Sequence, residues 1–110
     1  AEYNAVGGLN GLQMIQISSE TRRRVRLLFP QEHWSLVEER LRTDCGDNLP
    51  FVESHHSELA QRIRLAVLKL SDGNLRSFER ELREAAIDWR DTLMAAGFGN
   101  DVRAHRSWKP

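Results

Sequence analysis

The chain predicts an all-α fold, a compact bundle of about four helices closed by a short C-terminal helical turn. Three observations predict it. Apolar residues recur at steps of three and four through Leu75, Phe78, Leu82, Ala85, Trp89, Leu93 and Ala96, about six turns of helix. Stop signals at Pro30, "CGDNLP", "SDGN" and Gly97 divide the remainder into segments of helical length. The 110 residues are 40% hydrophobic and 29% charged, which supplies one core and a well-solvated surface. Helices joined by connections this short pack mostly antiparallel to their neighbours.

Residues 1–13, "AEYNAVGGLNGLQ", are rich in Gly and Asn, have no periodicity and run directly into Met14. They read as an appended remnant or a flexible arm, and a single helical domain is expected over residues 14–110. The first helix opens in "SSETRRRVRLLFP" with a Ser cap, Glu20 in its first turn, and Thr21, Val25 and Leu28 at i, i+4, i+7. A strand competes over residues 20–29, because Val25, Leu27 and Phe29 alternate with Arg24, Arg26 and Leu28. Pro30 ends this element and suits the first turn of the next. There Trp34, Val37 and Leu41 make a stripe, and Glu38 and Arg42 stand i, i+4 on another face. Gly46 is expected to end that helix in the left-handed conformation, with Pro50 preventing its resumption.

The third helix is expected to start at Ser54 or Ser57. Leu59, Ile63, Ala66, Val67 and Leu70 form its face, and Leu65 and Leu68 widen it, as in a central helix with neighbours on two sides. "SDGN" turns the chain into the long helix, whose outer face sets Glu79 four residues before Arg83 and Arg80 four before Glu84. Gly97 or Gly99 ends it. Phe98, Val102 and Trp108 are then expected to fold back onto its end, with Asn100 or Asp101 capping one short turn through His105.

The blocks "CGDNLP", "LKLSDG" and "DWRD-LMAAGF" occur together here. In that combination the stretch from Met14 to Lys109 resembles a group of small, uncharacterised bacterial proteins. The resemblance implies that Met14 is the natural start; it brings no activity, cofactor or catalytic residue with it.

Sixteen basic residues balance sixteen acidic ones, so no overall field draws the molecule to nucleic acid or anionic lipid. The distribution is uneven: residues 31–58 carry seven acids against Arg40 and Arg42, between basic ends. No apolar run approaches the roughly 18 residues of a membrane span, and no signal-peptide pattern opens the chain. A single cysteine, Cys45, fits a reducing cytoplasm.

Each chemically suggestive cluster has a plainer use. Arg22, Arg23, Arg24 and Arg26 suit phosphate, but successive helical residues are spread by about 100° and surround the element, with Glu32, Glu38 and Glu39 near in sequence to pair with them. In "ESHHSE", Glu53, His55, His56 and Glu58, with His33 or His105 beyond, lack the two-histidine spacing that converges on one ion, so no metal is expected. Cys45 at a helix C-terminus beside Asp44 and Asp47 is disfavoured as a thiolate and reads as half-buried. Asp88 and Asp91 read as partners of a loop backbone or of Arg90. "GFGN" is a helix stop, not a phosphate loop.

The function expected is therefore that of a small cytoplasmic, non-enzymatic interaction module, without cofactor, that associates with itself or another protein. Arg22, Arg23, Arg24, Arg26, Phe98, His105 and Trp108 are its candidate interaction surface. The alternative is a nucleic-acid-binding accessory protein using residues 22–26 with Arg103, Arg106 and Lys109.

Overall fold

Ser18 opens the first helix in the way its sequence suggests: its Oγ accepts the Thr21 amide at 3.1 Å. The computed structural model describes residues 15–46, 48–49 and 57–110. The expectations placed on residues 1–13, Asp47, Pro50, Ser54 and the Glu53, His55 and His56 cluster lie outside them. Helix α1 spans Ser19–Leu28, so residues 20–29 are helical rather than extended up to the residue before Phe29. Phe29 is extended, as the residue preceding a proline tends to be. A single 3₁₀ turn at Gln31–His33 follows Pro30 and leads into α2 (Trp34–Asp44). Next come α3 (Ser57–Ser71), α4 (Leu75–Ala96) and the short α5 (Ala104–Ser107). No strand occurs among the described residues.

Helix α3 is the central element. It buries Ala60, Ile63, Leu65, Ala66, Val67 and Leu68 against α1 on one side and α4 along its length. The core is completed by Val25 and Phe29 of the first segment, Val37 and Leu41 of α2, and Phe78, Leu82, Ala85, Leu93 and Ala96 of α4. Phe29 and Phe78 meet edge to face at 5.9 Å, the arrangement favoured by ring quadrupoles. Trp34 packs at the edge and its indole N–H donates to the Phe29 carbonyl at 2.8 Å, fastening the turn between α1 and α2. Trp89 is also only partly buried against this core.

Two glycines are required by geometry. Gly73 turns α3 into α4 at φ +78°, and a Cβ there would stand 2.4 Å from the Leu28 carbonyl oxygen. Gly97 ends α4 at φ +84°; its amide donates to Met94 O and the Phe98 amide to Leu93 O, which satisfies the last carbonyls. Gly46 does not act this way, contrary to expectation: it is not among the glycines at positive φ. Asn48 closes α2 instead, with Nδ2 donating to Asp44 O and Oδ1 accepting the Gly46 amide, both at 3.0 Å.

The surface charges pair differently from the simple helical spacing. Glu38 faces Arg22 and Arg26 across the α1–α2 contact, and Arg42 turns to Glu39. Glu79 takes Arg40 of α2 at 2.6 Å rather than Arg83, and Arg80 reaches Glu81 rather than Glu84. Tertiary neighbours compete with i, i+4 partners for the same side chain, and a pair spacing adds only about 0.2–0.5 kcal/mol to decide the contest. Helix α4 also breaks its own geometry at Asp88 (φ −154°, ψ 92°). The Asp88 Oδ1 accepts the Arg90 amide at 3.1 Å, the local bond through which Asp competes with a helical ladder.

Candidate interaction surfaces

The seven residues expected to form an interaction surface divide into two groups. Arg22, Arg23 and Arg26 lie on the surface, each with a carboxylate: Arg22 and Arg26 share Glu38 at 3.4 Å, and Arg23 holds Glu20 at 2.7 Å. Arg26 additionally lies over the Trp34 ring at 4.8 Å. Arg24, Phe98 and His105 are buried, and Trp108 is half-buried. The expectation of a surface is corrected for Arg24, Phe98 and His105. With Trp108 they build the seal of the molecule.

Arg24 carries that seal. It sits on the inward stripe of α1 with Thr21 and Val25. Its Nη1 holds Glu20 at 2.6 Å, and its Nη2 donates to the Trp108 carbonyl at 2.8 Å and the Arg106 carbonyl at 3.4 Å. A guanidinium thus fastens two tail carbonyls to the first helix. Phe98 lies beneath, 6.3 Å from both His105 and Trp108 by ring centroids, with the Lys69 ammonium 5.1 Å from its own ring centre. Lys69 also donates to Ala96 O, and Arg62 to Phe98 O. Val102, expected to fold back with them, is exposed. Asp101 caps the turn that leads into α5: its Oδ1 accepts the Arg103 amide at 2.8 Å and its carbonyl oxygen the Ala104 amide at 3.1 Å.

Beside this seal Ser18, Glu20, Arg24, Glu58, Gln61, Leu65, His105 and Arg106 line a cleft of about 360 Å³. Its titratable groups are already committed. Hydrogen bonds from Arg23 and then Arg24 hold the Glu20 carboxyl down at about 2. The Arg106 guanidinium, 2.9 Å away, holds Glu58 below the ordinary carboxylate range. Burial lowers His105, against the raising effect of Glu58, whose Oε2 is 3.2 Å from Nε2. Cys45, expected to be half-buried, is fully buried, and burial pushes its thiol up to about 12; the nearby Arg64 charge opposes this only partly. Such a thiol is a packing group rather than a nucleophile. No group of three or more His, Cys, Asp or Glu side chains that could hold a metal ion occurs among the described residues.

Two features escaped the sequence reading. Arg64 is wholly buried in α3 and donates to Cys45 O at 2.7 Å, Gln16 O at 2.8 Å and Ile15 O at 2.6 Å, holding the segment before α1 to the end of α2. A signal existed: Arg64 occupies the same three-and-four stripe as Ala60, Val67 and Ser71. The second is the outward face of α4. There Arg80, Glu81, Glu84, Ile87, Asp88, Asp91, Thr92 and Ala95 line a shallow groove of about 320 Å³ around the break at Asp88. Ile87 is 77% exposed within it, the most exposed large apolar side chain among the described residues, and Met94 is exposed about two turns further on. A single isoleucine among charged residues leaves no periodic trace in the sequence.

No helix among the described residues is long and apolar enough to cross a membrane. Neither a family model, nor a curated protein, nor a solved structure matches the chain.

Proposed function

We propose that the chain is a small non-enzymatic interaction module that associates with itself, with the outward face of α4 as the contact. One observation carries the reading: Ile87 stands 77% exposed in a charged groove on the longest helix, which packs on α3 by its opposite face. An apolar side chain ringed by charges in a shallow groove is what the centre of a protein contact needs, because its burial removes apolar area from water at about 25 cal/mol per Å². The committed carboxylates and the buried histidine of the tail cleft support a structural rather than catalytic use of that region. A buried free thiol is compatible with a reducing, cytoplasmic setting.

The nucleic-acid alternative has less behind it. Arg24 is buried under the tail, and Arg22, Arg23 and Arg26 each face a carboxylate. The deciding experiment is mass in solution at two concentrations for the wild type and Ile87→Asp. Mass rising with concentration in the wild type and not in the variant is the expected result. A wild type that stays monomeric throughout sinks the proposal, and binding of duplex or single-stranded nucleic acid that weakens with salt favours the alternative.

A further inference from the structure

We infer that copies of the chain join head to tail, the turn bearing Val102 and Arg103 in one copy seating in the outward groove of α4 in the next. This rests on the self-association proposed above and names the surface that the groove takes. The groove does not suit its own kind. Glu81, Glu84, Asp88 and Asp91 line it against Arg80 alone, and Arg80 is already held by Glu81 at 3.4 Å. Among the described residues Glu84, Asp88 and Asp91 make no ion pair, so two such grooves face to face would set acids on acids. The occupant has to bring an apolar side chain for Ile87 and uncommitted positive charge for the acids.

The turn between α4 and α5 offers both. Val102 is 63% exposed there, and among the described residues Arg103 beside it makes no ion pair, nor does the exposed Lys109 further along. The neighbouring acid, Asp101, turns its carboxylate to the Arg103 amide, and Glu58 is held by Arg106. Leu27 is about as exposed as Val102, but Arg23 and Arg26 on its helix already hold Glu20 and Glu38. Leu36 has Glu32 and Glu39 about one turn to either side, the same sign as the groove. The two halves of the contact also lie on different sides of one copy. Arg24 and Arg62 tie the segment after α4 to α1 and α3, whereas the groove is on the face of α4 turned away from α3. A contact between unlike patches is heterologous: each added copy leaves one groove and one turn open, so the assembly grows past two copies or closes as a ring.

Complementation tests this arrangement. The wild type, Ile87→Asp, Val102→Asp and an equimolar mixture of the two variants are compared by concentration-dependent mass. Both substitutions fall on exposed side chains, and circular dichroism establishes that each variant is folded. Each variant alone is expected to lose about tenfold or more in self-affinity. Mixed, they recover one contact, because Ile87→Asp keeps the Val102 turn and Val102→Asp keeps the groove; the mixture stops at two chains while the wild type passes that size. Arg103→Glu is expected to weaken association about fivefold or more. A wild type that stops at two copies, a Val102→Asp or Arg103→Glu chain that associates like the wild type, or a mixture that gains nothing overturns the head-to-tail contact and leaves self-association standing. A monomeric wild type overturns both and leaves the groove to a basic segment of another protein.

Discussion

At the scale of single residues, arginine divides into two uses that composition does not separate. On the surface it pairs with carboxylates in water, where each contact contributes about 0–1 kcal/mol. Arg24 and Arg64 instead turn their planar forks to backbone carbonyls: Trp108 and Arg106 for one, and Cys45, Gln16 and Ile15 for the other. Those carbonyls end segments that have no ladder partner of their own, so the guanidinium replaces water for them. Arg64→Ala would leave a cavity and unsatisfied carbonyls, and is expected to cost about 3 kcal/mol or more, read by denaturant unfolding. Arg64→Lys should recover little, since one ammonium on a flexible stem cannot fork to three separated acceptors. The residue identities made both arginines visible. The burial of Arg64 left a signal in its place on the stripe of Ala60, Val67 and Ser71, and that of Arg24 rests on the stripe of Thr21 and Val25, which alone separates it from Arg22, Arg23 and Arg26.

Among the elements, the ends of helices were the most legible part of the chain. The Ser18 and Asn74 caps, the extended residue before Pro30 and the left-handed Gly97 are local chemistry, decided within one turn by side chains that can be read directly. Gly46 failed as a left-handed stop for a local reason: Asn48 reaches back to Asp44 O and accepts the Gly46 amide, closing the helix end with a side chain. The expected ladders Glu38–Arg42, Glu79–Arg83 and Arg80–Glu84 failed for a tertiary one, two of the acids being claimed from other helices. Gly73 shows the opposite dependence. Its φ of +78° disfavours any side chain, and the Leu28 carbonyl oxygen lies 2.4 Å from where a methyl group would stand. Gly73→Ala is expected to cost about 2 kcal/mol or more and to shift the thermal midpoint down by several degrees, measured by circular dichroism in the far ultraviolet.

For the whole molecule, the closing of the C-terminal segment couples stability to pH. His105 is lowered by burial, with Arg62 and Arg106 adding to the effect, and Glu58 is lowered chiefly by Arg106. A group depressed in the folded state stabilises above its unfolded value, ordinarily 6.5 for the histidine and 4.5 for the glutamate, and that stability drains away as pH falls towards the folded value. Both signs agree, so unfolding free energy at about pH 5 should lie below that at about pH 7, with a further decline under pH 4.5 as Glu58 protonates. His105→Asn should flatten the upper part of the profile and leave the lower; a profile unchanged by the substitution would separate the histidine from the effect. The overall helical architecture was legible because apolar spacing survives any arrangement of loops. The outward groove was not, since Ile87 belongs to no inward stripe and its exposure depends on what α3 already covers. The interruption at Asp88 has one last implication. A long helix with a non-helical residue in its interior need not open as a single unit, so deuterium should enter the amides following Asp88 sooner than those between Phe78 and Ala85, which are locked to the centre of the protein.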